Sequence, residues 1–205
     1  SCISIVTVID TVNPIVICKD TLLYLNNSGT ISLDTSMILI STNDACGIDS
    51  VYLSSNSLNC VDTGANLITV YSRDINGNID SCISRVYLVD TINPLVVCKD
   101  TTIFLNTAGT ATIDTSFILI SATDICGIDS VYVYNNSFTC IDTGTNQVTI
   151  YVLDVNGNLD SCISTVTVLD TVNPTVVCKD TTIYLDATGS ATIDTSFILI
   201  SATDV

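Results

Sequence analysis

The sequence predicts an all-β protein made of tandem immunoglobulin-like β-sandwich repeats of 80 residues. Three observations carry that expectation: an internal period of 80 without insertion, a strand-forming composition, and turn signals about every 8–12 residues. The period is the plainest. Ser-Cys-Ile-Ser recurs at Ser1, Ser81 and Ser161, and Cys-Lys-Asp-Thr at Cys18, Cys98 and Cys178. Ile-Asp-Thr-Ser stands at Ile113 and Ile193, and a D-T-[VI]-N-P string spans 10–14, 90–94 and 170–174. The last string holds all three prolines. Proline fixes φ and removes a ladder donor, which suits a chain leaving one sandwich and entering the next. The expected boundaries follow. Residues 1–10 are the last strand of a preceding repeat, 11–90 and 91–170 are complete repeats, and 171–205 are the first strands of a following one. With no initiator Met and no signal peptide, the sequence reads as a piece of something larger.

Composition agrees. Apolar residues make up 47% of the chain, enough for real cores, and they are Val, Ile and Leu interleaved with Thr, Ser and Tyr. There is no Glu and a single Met, and all 21 acidic residues are Asp, a turn and cap residue. The net charge of −16, with five Lys and Arg and no His, sets the chain against nucleic acid and anionic membrane surfaces. It favours cations, as a solvating atmosphere or as bound metal, while solubility alone gives the same bias. No uninterrupted apolar run is long enough to span a bilayer.

Within 91–170 the strand signals come in order: 95–105, 111–120, 129–134, 147–153 and 162–169. Turn signals separate them at 106–110, 121–127, Asn135-Asn136-Ser137 and Asp142-Thr143-Gly144. Asn156-Gly157 predicts a two-residue hairpin. A unit of this size with about seven short strands fits the immunoglobulin-like sandwich, with another small Greek-key sandwich as the alternative.

Each full period carries four cysteines, here Cys98, Cys126, Cys140 and Cys162. The absence of His and of a C-x-x-C pair argues against a zinc site, and two disulfides per repeat are expected in an oxidising compartment. In such a sandwich the first and last strands run parallel from the N-terminal pole. That places Cys98 beside Cys162 and leaves Cys126 for Cys140. The same rule pairs Cys18 with Cys82 and Cys46 with Cys60. Loop closure assigns the short bridge about 3 kcal/mol and the long one about 4 kcal/mol. A Cys82–Cys98 bond would need the chain to fold back over about 23 Å of strand and is rejected. Cys2 and Cys178 then need partners outside the chain.

The hairpin Asp74-Ile75-Asn76-Gly77-Asn78-Ile79-Asp80 recurs as Asp154-Val155-Asn156-Gly157-Asn158-Leu159-Asp160. Its alternating oxygens suit Ca²⁺, a hard cation that takes six to eight oxygen ligands. It is not an EF-hand, because Arg85 and Thr165 stand where a bidentate carboxylate is needed. Taken alone, the loop is better explained as a solvated Asn-Gly turn. The fold adds weight to calcium. The hairpin tip, the turn with Asp44 or Asp124, and the linker with Asp10 and Asn13, or Asp90 and Asn93, all arrive at one pole. Their carboxylates would repel one another without a cation. The expected ligand set is thus Asp10, Asn13, Asp44, Asp74, Asn76, Asn78, Asp80, Asp90, Asn93, Asp124, Asp154, Asn156, Asn158 and Asp160.

The strings D-T-x-N-P, C-K-D, D-[AI]-C-G and D-x-N-G-N-x-D-S-C resemble the hyalin-type repeat, an immunoglobulin-like module. They are particularly similar to the copies arrayed in giant surface adhesins and filaments of gliding bacteria. The resemblance covers the whole chain and implies a secreted, cell-surface location, an adhesive or filament role and a dedicated export system. It maps the Asp of D-[AI]-C-G onto Asp44 and Asp124, and the Asp that opens the hairpin onto Asp74 and Asp154. Asn13, Asn93 and Asn173 depart from it, standing where family members often have a small residue or proline. Asp followed by Ser or Thr and an apolar residue, at Thr11, Thr21, Ser50, Thr91, Ser130 and Thr171, looks like the O-glycosylation signal of such bacteria, although strand chemistry gives the same pattern.

A structural and adhesive fibre is therefore the leading expectation, disulfide-stapled and calcium-stiffened at its junctions. Its partners would be neighbouring repeats, surface glycans or other cells, with no nucleic acid and no membrane insertion by this segment. A sugar- or ice-binding module on Thr-rich faces, or the stalk of a surface enzyme, is the alternative. The residues argue against an enzyme in this chain, which lacks His, Glu and a phosphate-binding glycine loop.

Overall fold

Alternation of buried and exposed side chains, with Ile68, Val70, Val86 and Leu88 turned inward in the first repeat, marks the two longest strands of each repeat. In the computed structural model, which describes residues 2–205, the first repeat opens with β1 (Ile15–Cys18), β2 (Thr21–Tyr24) and β3 (Thr30–Ser32). A single helical turn, α1 (Thr35–Ile38), leads into β4 (Leu39–Asn43), followed by β5 (Ile48–Leu53) and β6 (Ser57–Asn59). After a 3₁₀ turn at Cys60–Asp62 come β7 (Gly64–Asp74) and β8 (Ile79–Val89). One layer is the four-stranded sheet β2-β8-β7-β5, and short pairs β1-β4 and β3-β6 form the other. β2 runs parallel to β8, with Thr21 opposite Val86, while β7 and β8 form an antiparallel hairpin. The first strand of an immunoglobulin-like sandwich switches sheets in this way, and the repeat is such a sandwich.

The switch is made by Lys19 and Asp20. The Ser84 hydroxyl on β8 donates to the Lys19 carbonyl at 2.7 Å, and the Arg85 N–H donates to Asp20 Oδ1 at 2.8 Å. Backbone groups freed at the break are thus satisfied from the neighbouring strand. The core lies between the layers, with Leu25, Leu33, Ile38 and Leu58 facing Ile68, Val70, Val86 and Leu88. Toward the hairpin tip the inward row turns polar, through buried Ser72 and Asp74. The Ser72 hydroxyl shares a hydrogen bond of 2.8 Å with that of Thr42.

The second repeat keeps the same order: β9 (Leu95–Cys98), β10 (Thr101–Phe104), β11 (Thr110–Thr112), α2 (Thr115–Ile118), β12 (Leu119–Thr123), β13 (Ile128–Tyr134), β14 (Ser137–Thr139), a 3₁₀ turn at Cys140–Asp142, β15 (Gly144–Asp154) and β16 (Leu159–Leu169). Its sheets are β10-β16-β15-β13, β11-β14 and β12-β9. Two expectations change. The stretch 95–105 is two strands, broken at Lys99-Asp100, where Ser164 and Thr165 repeat the bonds of Ser84 and Arg85. The stretch 111–120 holds α2, because Asp114 caps it by accepting the Ser116 N–H at 2.8 Å.

Residues 171–205 form β17 (Thr175–Cys178), α3 (Thr195–Ile198) and β18 (Leu199–Thr203), with β17 antiparallel to β18. The strand expected over 1–10 is not formed by residues 2–10, which have no regular structure, and Ser1 lies outside the described residues. A strand needs a neighbour to take its hydrogen bonds, and no described strand pairs with this segment. Two compact units result. The first holds the chain up to Leu95 with Thr123–Ser130 and Val152–Asp160; the second holds Val96–Ala122, Val131–Tyr151 and Ser161–Val205. No helix among the described residues is long and apolar enough to cross a membrane.

Candidate functional site

Oxygen-rich loops of the first compact unit gather at two comparable places. Each begins with the hairpin tip. Asp74 is fully buried, and its carboxylate accepts the Asn78 N–H and the Asn78 Nδ2, each at 2.7 Å. Asp154 accepts the N–H of Asn156 and of Asn158 at 2.8 Å and the Asn158 Nδ2 at 2.7 Å. The loop between β7 and β8 is three residues wide rather than the expected two, since the Asp74 N–H donates to the Asn78 carbonyl at 3.0 Å. Gly77 takes the left-handed conformation, φ +97°, that closes such a loop. Burial pushes the Asp74 carboxyl up, but the bonds from Asn78, Gly77 and Asn76 outweigh it and hold it below the usual carboxylate value. Asp74 and Asp154 therefore build the turn.

The linker meets this tip. Asn78 Nδ2 lies 3.4 Å from the Asp10 carbonyl oxygen, and Asn158 Nδ2 stands at the same distance from that of Asp90. Asp10 and Asp90 each fold a local turn, taking the N–H of Val12 and of Ile92 on Oδ1 at 3.0 Å. Asp44 and Asp124 do likewise, each taking the following cysteine's N–H on Oδ1 at 2.7 Å. The ligand atoms of Asp90, Asp124 and Cys126 lie within 4.8 Å of one another, as do those of Asp10, Asp44 and Cys46. Within these groups Oδ2 of Asp10, Asp90 and Asp124 is buried with no hydrogen-bond partner, and so is Asn156 Oδ1 on the hairpin tip. Asp90 is 5% exposed. Buried oxygens aimed at nothing are costly unless a cation or water takes them. The sulfur of Cys126 is spent in a disulfide, so the donors left beside it are carboxylate oxygens, the ligand type that suits Ca²⁺. Next to Asp10 the thiol of Cys46 is held above its usual value, because the neighbouring carboxylate favours the protonated sulfur over a thiolate.

Other expected ligands fall elsewhere. Asn13, Asn76 and Asn93 are exposed. Asp80 is exposed on β8, where it accepts the Ser81 N–H, and Asp160 is half-buried on β16. Of the expected glycosylation positions, Thr11, Ser50, Thr91 and Thr171 are exposed, while Thr21 and Ser130 are half-buried.

Three disulfides are formed among the described residues. Cys18 bonds Cys82 and Cys98 bonds Cys162, each pair 64 residues apart. The expected Cys46–Cys60 and Cys126–Cys140 bridges are not made. Cys60 bonds Cys126, 66 residues further along, with Cα atoms 5.2 Å apart, and Cys46 and Cys140 are free. Strand lengths explain the difference. Between Cys46 and Cys60 the chain goes out along the six residues of β5, about 20 Å, and returns along only the three of β6, about 10 Å. The two cysteines cannot meet. The bond beside the acidic group was missed from sequence, as was Thr63, whose hydroxyl receives the Asn156 Nδ2 at 3.0 Å. A signal existed in the spacing: 66 residues nearly equals the 64 of the other two bonds.

No protein-family model matches the chain. It is similar to hyalin of Strongylocentrotus purpuratus, 30% identical over 175 residues, which covers 80% of this chain. The chain spans 14% of that relative's length. Among solved structures it is similar to human mucin-like protocadherin EC1-2, with a TM-score of 0.39, 8% identity, and coverage of 77% of this chain and 99% of that one. Fibronectin(III)-like modules of Clostridium thermocellum CbhA give a TM-score of 0.32 at 10% identity, covering 76% and 95%.

Proposed function

We propose that this chain is the structural repeat region of a secreted cell-surface fibre or adhesin, tied along its length by sulfur and stiffened by calcium at repeat junctions. The single observation that supports it most is the Cys60–Cys126 bond. In the register of the repeat it joins residues of successive periods, beside the main-chain linker at Asp90–Pro94. Two attachments in place of one remove the freedom of a hinge, which serves a thread that transmits tension and has no use in an isolated domain. The compartment follows from the chemistry, since three disulfides need surroundings more oxidising than cytosol. The buried, unpartnered oxygens of Asp90 and Asp124 support a cation at the junction, because it would relieve both their repulsion and their lost hydration.

In this reading the repeats carry no catalysis. They space and hold whatever adhesive or anchoring elements the parent protein bears, as in the arrays of gliding bacteria that the motifs resemble. Two measurements test it. On intact source cells, an external protease or antibody should reach the repeats; detection only after lysis refutes the location. Calorimetric titration of Ca²⁺ into the disulfide-intact chain should give heat, and EDTA should lower its melting temperature. Absence of both effects removes calcium from the proposal.

A further inference from the structure

Each compact unit by itself contains the same small arrangement, and the two differ by one bond. In the first, Cys60 Sγ lies 3.6 Å from the Gly29 carbonyl oxygen. A Cβ on Gly29, whose φ is +68°, would fall 2.8 Å from that sulfur and 2.9 Å from Cγ1 of Ile125. Only glycine leaves that space open, and Ile125 seated on it delivers the next residue, Cys126, to Cys60. In the second unit Cys140 Sγ stands 3.6 Å from the Gly109 carbonyl oxygen. A Cβ on Gly109, φ +70°, would fall 2.7 Å from the sulfur, 3.3 Å from Cβ of Val205 and 3.4 Å from the Val205 carbonyl carbon. Val205 stands one period after Ile125, and Thr203-Asp204 precedes it as Thr123-Asp124 precedes Ile125. Cys140 is half-buried and its thiol is free. The seat is therefore built and filled in the same way, with the sulfur still a thiol.

Cys46 shows the opposite half. Asp44 shapes its turn with the bond, 2.7 Å long, that Asp124 makes at Cys126, and its thiol is free and exposed. We infer that Cys140 and Cys46 are the two open halves of the bond that Cys60 and Cys126 complete. Cys140 takes the cysteine of the D-x-C-G turn one period further on, and Cys46 takes the cysteine that follows the counterpart of β6 one period before. The bond then repeats once per period, making a continuous disulfide ladder alongside the main chain. This deepens the fibre reading and rests on its tandem register. At each rung two thiols lose two protons and two electrons to an oxidised dithiol, whose disulfide is reduced to two thiols as the new S–S bond forms.

Disulfide mapping of the protein isolated from its source, denatured with an alkylating reagent and digested without reduction, tests the inference. The peptide carrying Phe138-Thr139-Cys140 should be recovered joined to a D-x-C-G peptide other than that of Cys126. The peptide carrying Asp44-Ala45-Cys46-Gly47 should be joined to a counterpart of Asn59-Cys60. The alkylated forms of Cys140 and Cys46 should be lost until the sample is reduced. Recovery of either cysteine alkylated without reduction, or of Cys126–Cys140 or Cys46–Cys60 peptides, overturns the ladder. The Cys60–Cys126 peptide in the same digest reports separately on the fibre reading. Found while Cys140 is alkylated, it leaves that reading standing and sinks only the ladder; if it is missing, both fall.

Discussion

Pulling the chain by its two ends should release almost no length from a repeat until it is reduced. Cys18–Cys82 and Cys98–Cys162 each close off 64 residues, so in an oxidised chain only the segments outside those loops can be drawn straight. An extended chain spans about 3.3–3.6 Å per residue, so opening one 64-residue loop adds about 210–230 Å. Single-molecule force spectroscopy on the 205-residue chain, with and without a thiol reductant, reads this directly. Without reductant the steps assignable to whole repeats should be missing, and with it two should appear, each longer by that amount. The quadruple variant Cys18→Ser/Cys60→Ser/Cys82→Ser/Cys126→Ser should show one long step without reductant, because Cys60–Cys126 would otherwise carry the tension past residues 61–81. Steps of about 200 Å from the unreduced parent chain would refute the reasoning, because they require residues 19–81 to lie on the path of tension.

The remaining predictions concern stability and the cation. Ile38→Ala removes a fully buried side chain from the first core and should cost about 2–5 kcal/mol in urea unfolding under oxidising conditions. Cys60→Ala/Cys126→Ala opens a 66-residue closure and should cost about 4 kcal/mol by the same assay. Asp124→Asn keeps the turn-forming oxygen and removes a charge beside Asp90, so it should weaken Ca²⁺ binding in calorimetry; unchanged affinity would exclude Asp124 as a ligand. Asp34 and Asp114 lie below the ordinary carboxylate value, Asp34 through the backbone N–H of Ser36 and Asp114 through the hydroxyl of Ser116. A carboxyl lowered in the folded state adds stability that is whole above the ordinary value and is lost as pH falls through the lowered one. The melting temperature should therefore hold to about pH 4 and drop below it, less steeply in Asp34→Asn/Asp114→Asn.

The fold was legible because its signals are local and repeated. Alternation along 147–153 and 162–169 marks β15 and β16, and Cys18 could be placed beside Cys82 once the first and last strands were set parallel. The break at Lys19-Asp20 was not legible, since it is held by Ser84 and Arg85, 65 residues away, and no pattern within the strand announces it. The helical turn at Thr115–Ile118 was missed for a related reason: four residues are too few to show a helical period, and the Asp114 cap alone carries the signal. At the site, sequence brought the right loops to one pole but could not say which oxygens would be spent. Asp74 and Asp154 were natural ligand candidates from spacing, yet their carboxylates are engaged by Asn78 and Asn158. The unpartnered carboxylate oxygens belong instead to Asp10, Asp90 and Asp124, beside the unpartnered amide oxygen of Asn156. Cys60–Cys126 does not follow from the strand order of a single sandwich, since it joins residues of successive periods.

The parallel contact of β2 with β8 acquires a second meaning once the position of Cys18–Cys82 is considered. Tension entering at Cys18 crosses to Cys82 and leaves along β8, so the rungs from Thr21–Val86 to Tyr24–Val89 stand beside the route and carry none of it. If that sulfur bond is cut, the same rungs are loaded lengthwise in shear, all resisting together, where an antiparallel edge would peel one rung at a time. The repeat thus holds a reserve clamp that engages only after its first fastening has failed.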